Sequence, residues 1–190
     1  MHTLLSKVIF ILLLPLLINA DGKSEANSQL LAACMSPKGE DDVDAIRAAL
    51  KLGADINVQD DRSGQTCLMA AVLRGKINIV RLLFKLGADH TIGERQGYTP
   101  VHGAAFQGRP DVMHFLNQVG LDVNDVHEDG FSPIHRACWG SEPKHTDTFK
   151  ALVKMGTDPL LKSKDGKTCL DMTNNKDIIE FIELVTRPEL

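Results

Sequence analysis

"GYTPVHGAAFQG", residues 97–108, sets a Thr-Pro step, a histidine and two alanines between Gly97 and Gly108. Proline after threonine suits a helix start, because the N–H that proline lacks has no partner in a first turn. Whether His102 is a base, a metal ligand or a piece of scaffold depends on whether the motif stands alone, since imidazole serves all three roles. It does not stand alone. Gly64, Gly97 and Gly130 are each 33 residues apart, and Gly166 follows after 36. The stretches align as "GQTCLMAAVLRG", "GYTPVHGAAFQG", "GFSPIHRACWGS" and "GKTCLDMTNNKD", each with Thr or Ser two residues after its glycine. A second series, Gly53, Gly87, Gly120 and Gly156, steps by 34, 33 and 36. The extra three residues fall within "SEPKHTDT", residues 141–148, and read as a lengthened turn.

Each unit reads as two helices and a turn. Apolar residues recur seven, four and one before the second-series glycine: Ile46, Ala49, Leu52; Val80, Leu83, Leu86; Met113, Leu116, Val119; Phe149, Leu152, Met155. Spacings of three keep them on one helical face, and glycine just past the last of them is a C-terminal stop. Leu30 and Ala33 supply a first helix for the earliest unit. The expected units are about 25–58, 59–91, 92–124, 125–160 and 161–186, the first a variant and the last shortened.

This period, with "TPVHGAA" and "GADINVQD", resembles the ankyrin repeat family over nearly all of residues 25–186. The resemblance implies an all-α, ankyrin-type repeat solenoid of helix-turn-helix units with projecting hairpin loops. It also implies a structural role for His102 and for His135 one period later. In the family this imidazole bonds the preceding threonine and nearby backbone. Met69 and Asp171 hold the same slot in the flanking units.

Composition agrees with an ordinary globular chain: 43% apolar, 24% charged, a formal net charge of −4 and only 5% aromatic. A mildly acidic balance gives no electrostatic reason to expect nucleic acid or an anionic membrane as partner. No nucleophile elbow, phosphate-cradling glycine loop or HExxH is present, so no catalytic residue is assigned and no enzyme activity is expected. His135 and Cys138 stand one helical turn apart, yet both fill structural slots, and no metal or cofactor is expected. His90, His114, His127 and His145 receive no role.

Residues 1–20 read as a secretory signal: Lys7, an apolar run from Val8 to Ile18 broken by Pro15, then Ala20 before a cut at Asp21. That run is too short for the roughly 20 residues a membrane span needs. The mature chain, 21–190, is expected in the secretory lumen or outside the cell, or in a bacterial periplasm, with no membrane association and as a monomer. The terminal "RPEL" resembles a retrieval signal, but Pro188 stands where such signals carry an acid. An exported chain invites disulfides. Cys67 and Cys169 share the slot of Pro100, and Cys34 and Cys138 that of Ala105, about two turns further along the first helix. Cys67 with Cys169, or Cys34 with Cys138, would span non-adjacent units and exceed the roughly 7 Å Cα limit for a bridge. The neighbouring pairs, Cys34 with Cys67 and Cys138 with Cys169, fall in slots about two turns apart, so free thiols are expected. There is no Asn-x-Ser/Thr sequon.

By the same resemblance, partners are met by the turn before the first helix and by that helix's exposed end. Counting along the period gives Arg62 and Gln65, Arg95 and Tyr98, and Phe131 in the turns. The helix ends carry Leu73 and Arg74, Phe106, and Trp139. The only tyrosine and the only tryptophan of the chain fall among them. The expected function is a non-catalytic scaffold for a protein partner, the alternative being an obligate subunit or spacer of an exported enzyme.

Overall fold

The computed structural model describes residues 22–36 and 42–187; the signal-like segment and "PEL" lie outside them. The order is α1 (22–35), α2 (Val43–Lys51), α3 (Cys67–Arg74), α4 (Ile77–Lys85), α5 (Pro100–Phe106), α6 (Pro110–Gln118), α7 (Pro133–Ala137), α8 (Pro143–Lys154), the short 3-10 helix η1 (Cys169–Asp171) and α9 (Lys176–Val185). Among the described residues there is no strand, and the β-type pairing is an isolated bridge between Gln59 and Thr66. This is an all-α solenoid.

Local chemistry sets the helix bounds. Thr66 caps α3 by accepting from Met69 N at 3.2 Å, and prolines occupy the first turn of α5 through α8. Gly53, Gly87, Gly120 and Gly156 end the second helices with φ between 82° and 99°, a region L side chains avoid. First helices stack on first helices, α3 on α5 and α5 on α7, while α6 meets α8 behind them. The core runs along that double layer through Leu30, Ile46, Leu68, Leu83, Met113, Leu116, Ile134, Leu152 and Ile178, all below 2% exposure. Each such side chain stabilises the stack by about 1.5–3 kcal/mol relative to exposure. The third members of the expected apolar triplets differ: Leu52, Leu86 and Val119 are 64%, 44% and 43% exposed. They sit at the C-caps, where the chain is already leaving the helix face.

The loops are tied to one another. Arg95 N donates to Ser63 O at 2.9 Å, and Lys164 N to Gly130 O at 3.1 Å. Gly64 permits the first of these, since a Cβ there would stand 2.9 Å from Arg95 N.

Two expectations are corrected. The extra residues at 141–148 lengthen a helix rather than a turn. Helix α8 begins at Pro143 and has 12 residues, against 9 in α4 and α6. Proline at its first turn and a hydrogen bond from His145 Nε2 to Phe106 O (3.2 Å) fix the added turn. The cysteines are not free either. Cys34 bonds Cys67 and Cys138 bonds Cys169, with Cα atoms 5.3 and 5.9 Å apart. The separation of slots along one helix is not their separation between units: the late small slot of one unit lies beside the first residue of the next unit's first helix. First helices pack closely enough for this because Gly103 has no side chain: a Cβ there would stand 2.8 Å from Met69 Cε and 3.1 Å from Leu73 Cδ2.

Candidate partner-binding groove

The turn at 94–98 and the ends of α3, α5 and α7 enclose a groove of about 370 Å³. Its floor is Gly103, where a side chain would strike Met69 Cε at 2.8 Å. Tyr98, Phe106 and Trp139 form the walls, with Leu73 and Gln65 at one side. Phe106 and Trp139 are 50% and 41% exposed and meet edge to face at 6.4 Å.

At the closed end of the groove sits Arg136, only 5% exposed. Its guanidinium carbon lies 4.5 Å from the Trp139 ring centre, 4.6 Å from Tyr98 and 5.4 Å from Phe131. Nη2 donates to Asp129 Oδ2, which also accepts from the Tyr98 hydroxyl at 3.0 Å. Burial alone would raise the Asp129 carboxyl. The hydrogen bonds from Arg136, His127, the Phe131 amide and Tyr98 outweigh it and hold the group well below the usual carboxylate range. Tyr98 is pushed above its ordinary value, first by burial and then by its bond to Asp129. Arg136 is thus a neutralised cation that fixes three aromatic rings, a stacking that planar guanidinium suits better than ammonium.

His102 lines the groove and His135 lies one unit further along, 2% and 1% exposed. In each, Nε2–H donates to a backbone carbonyl of the following loop: Asp125 O at 3.0 Å and Leu161 O at 3.0 Å. That leaves Nδ1 as acceptor, 2.9 Å from Thr99 Oγ1 and 2.8 Å from Ser132 Oγ. Burial pushes both imidazoles below their ordinary value, and the carbonyls only partly offset it. Asp171 reproduces half of the arrangement by accepting from Thr168 N and Oγ1 at 2.8 and 2.9 Å. Among the described residues no group of three or more potential ligands is placed to hold a metal ion.

The residues expected at the surface divide. Gln65, Leu73, Tyr98, Phe106 and Trp139 line the groove, and Phe131 stands behind Trp139 at 5.3 Å. The three expected arginines lie outside it. Arg74 folds back on Ala70 O at 3.2 Å, Arg95 donates to Asp61 O, and Arg62 is exposed beside Asp60. Arg136 was not anticipated, although its slot holds Ala70 and Gly103 in the two preceding units. A long cation where the repeat keeps small residues was the available signal. Two histidines left without a role also bridge units. His127 Nε2 donates to Gln96 O at 2.8 Å while its ring lies 3.9 Å from that of Tyr98, and His145 makes the contact with Phe106 O. Glu94, a further groove residue, keeps Oε1 enclosed and without a donor.

Comparison with known proteins places these features. The family described as ankyrin repeats (3 copies) matches residues 9–94 and 30–127, and the ankyrin repeat matches residues 129–164. The ankyrin repeat and KH domain-containing protein of Caenorhabditis briggsae is 37% identical over 68 residues. That stretch is 36% of this chain, and the chain spans only 2% of the nematode protein's length.

Proposed function

Because the chain belongs to the ankyrin repeat family, and is a protein–protein interaction domain on that ground, we propose that the Tyr98–Phe106–Trp139 groove is where it binds its partner. The observation that carries the reading is the pair of rings left open to solvent over a floor without a side chain, Phe106 and Trp139 above Gly103. Half-open aromatics around a buried arginine have the make-up of an interface hot spot, where a single residue is worth about 2–4 kcal/mol. Binding is non-catalytic, the chain acts as a monomer of five units with the bounds given above, and Gln65 and Leu73 extend the contact surface. Arg62, Arg74 and Arg95 form an outer rim on this reading, and His102 and His135 brace the turns. The proposed compartment is an oxidising one, the secretory route or a periplasm. Two disulfides between neighbouring units support it, because such bonds persist where thiols are not kept reduced. Among the described residues no helix is long and apolar enough to cross a membrane.

The test is affinity measurement with the partner recovered from the host's exported fraction. Phe106→Ala and Trp139→Ala should each weaken binding at least tenfold with the melting temperature little changed. Lys85→Ala and Lys154→Ala, on second helices away from the groove, should bind as the parent does. Equal losses from both faces would sink the assignment.

A further inference from the structure

Resting on the reading of the groove as the partner site, we infer that it takes a lysine or arginine side chain from an extended segment of the partner, with Glu94 as the receiving anion. Charge is the first observation. The charged residues lining the groove are Glu94 and Arg136, and Arg136 is already paired with Asp129. Burial keeps His102 below its ordinary value, so it adds no charge at neutral pH. Glu94 lines the groove and has no ion-pair partner among the described residues. The groove therefore presents one uncompensated negative charge.

Shape is the second. Phe106 and the solvent side of Trp139 flank the approach, and a three- or four-carbon stem lies along such rings with its charged head beyond them. The inner face of Trp139 is taken by Arg136, whose pairing with Asp129 blunts repulsion of a second cation. An acidic side chain would instead meet Glu94 in a partly desolvated site, where like charges repel strongly.

The experiment pans a random dodecapeptide phage library on the full chain with its disulfides intact. Synthetic peptides from the recovered sequences are then titrated against the fluorescence of Trp139, the chain's only tryptophan. The expected result is a shared Lys or Arg and a saturable change in emission. Glu94→Gln, nearly the same in shape, should weaken binding at least fivefold with the melting temperature unchanged. Norleucine for lysine, or citrulline for arginine, should do the same, with little further loss when combined with Glu94→Gln. Recovery of no peptide, of peptides without a common basic residue, or of affinities indifferent to Glu94→Gln overturns the inference. If Phe106→Ala and Trp139→Ala weaken the natural partner while Glu94→Gln does not, the groove stands as the binding site and only its charge rule fails. If peptides bind through Glu94 but the ring variants leave the natural partner's affinity unchanged, the site reading itself is the part that fails.

Discussion

From α3 to α9 neighbouring units are held by polar side chains that reach backbone carbonyls, and at each of the two ends a disulfide is added. Arg109 Nε donates to Leu73 O at 3.0 Å, His145 to Phe106 O, His102 to Asp125 O and His135 to Leu161 O. At the start Cys34 is bonded to Cys67, and at the end Cys138 to Cys169. The difference follows from the physics of a one-dimensional stack. A middle unit buries both faces, but an end unit has a single neighbour and so half the contact energy. The last first-helix is reduced to the three residues of η1, which has little face to bury. A covalent tie needs no area.

The largest expected effect tests that contrast. Replacing Cys138 and Cys169 together by alanine removes a bridge across 31 residues of sequence. A bridge of that span stabilises by about 3–4 kcal/mol. The loss should be local: amide exchange in α9 should rise sharply while α5 and α6 keep their protection. If α9 exchanges no faster than before, its contacts with α8 and the bond from Asn175 Nδ2 to Gly140 O (3.1 Å) suffice, and the contrast between ends and middle fails.

A smaller effect is expected in the middle, at Arg136. Arg136→Met keeps roughly the volume and removes the ion pair, leaving Asp129 with Tyr98 and His127. The cost should be about 2 kcal/mol in urea unfolding, in the range for a charge-assisted bond. Arg136→Lys should recover only part of it, because ammonium does not stack as a plane between rings. Full recovery by lysine would show that charge alone holds the cluster together.

How far these features were legible follows from their origin. The period of glycines, the Thr-Pro steps and the spaced apolar residues are properties of each unit by itself. They therefore stood in the sequence, and so did the vertical alignment of Phe106 with Trp139. What depends on how units sit against one another did not. The close packing of adjacent first helices was needed to bring Cys34 to Cys67, and the burial of Arg136 depends on the rings of Tyr98, Phe131 and Trp139 gathered from two units around its guanidinium. The added turn of α8 was misplaced for a related reason. "EPKHTDT" carries proline and polar residues as loops do, and only its anchoring on Phe106 O shows it to be helix.

The smallest effect compares one slot along the stack. His102 and His135 hold it in the middle, Asp171 at the end, and both residue types accept hydrogen bonds from the preceding Thr or Ser. Their acid responses should differ in pH. Both histidines lie below their ordinary value of 6.5 when folded, so the unfolded chain binds protons first as pH falls. Stability from the neutral imidazoles is complete above 6.5 and drains away as pH drops through the unfolded value toward the folded ones. Each histidine limits the slope to about 1.4 kcal/mol per pH unit. Asp171 is also lowered, by its bonds to the Thr168 amide and hydroxyl, but from 3.8, so its contribution persists until far stronger acid. Acidification from pH 7.5 to 5 should therefore loosen the loops at Asp125 and Leu161 while the Thr168–Asp171 turn stays closed. Amide exchange at the three sites reads this directly, and His102→Gln with His135→Gln should flatten the dependence of the melting temperature on pH. A dependence that survives both substitutions would show that these two imidazoles are not its source.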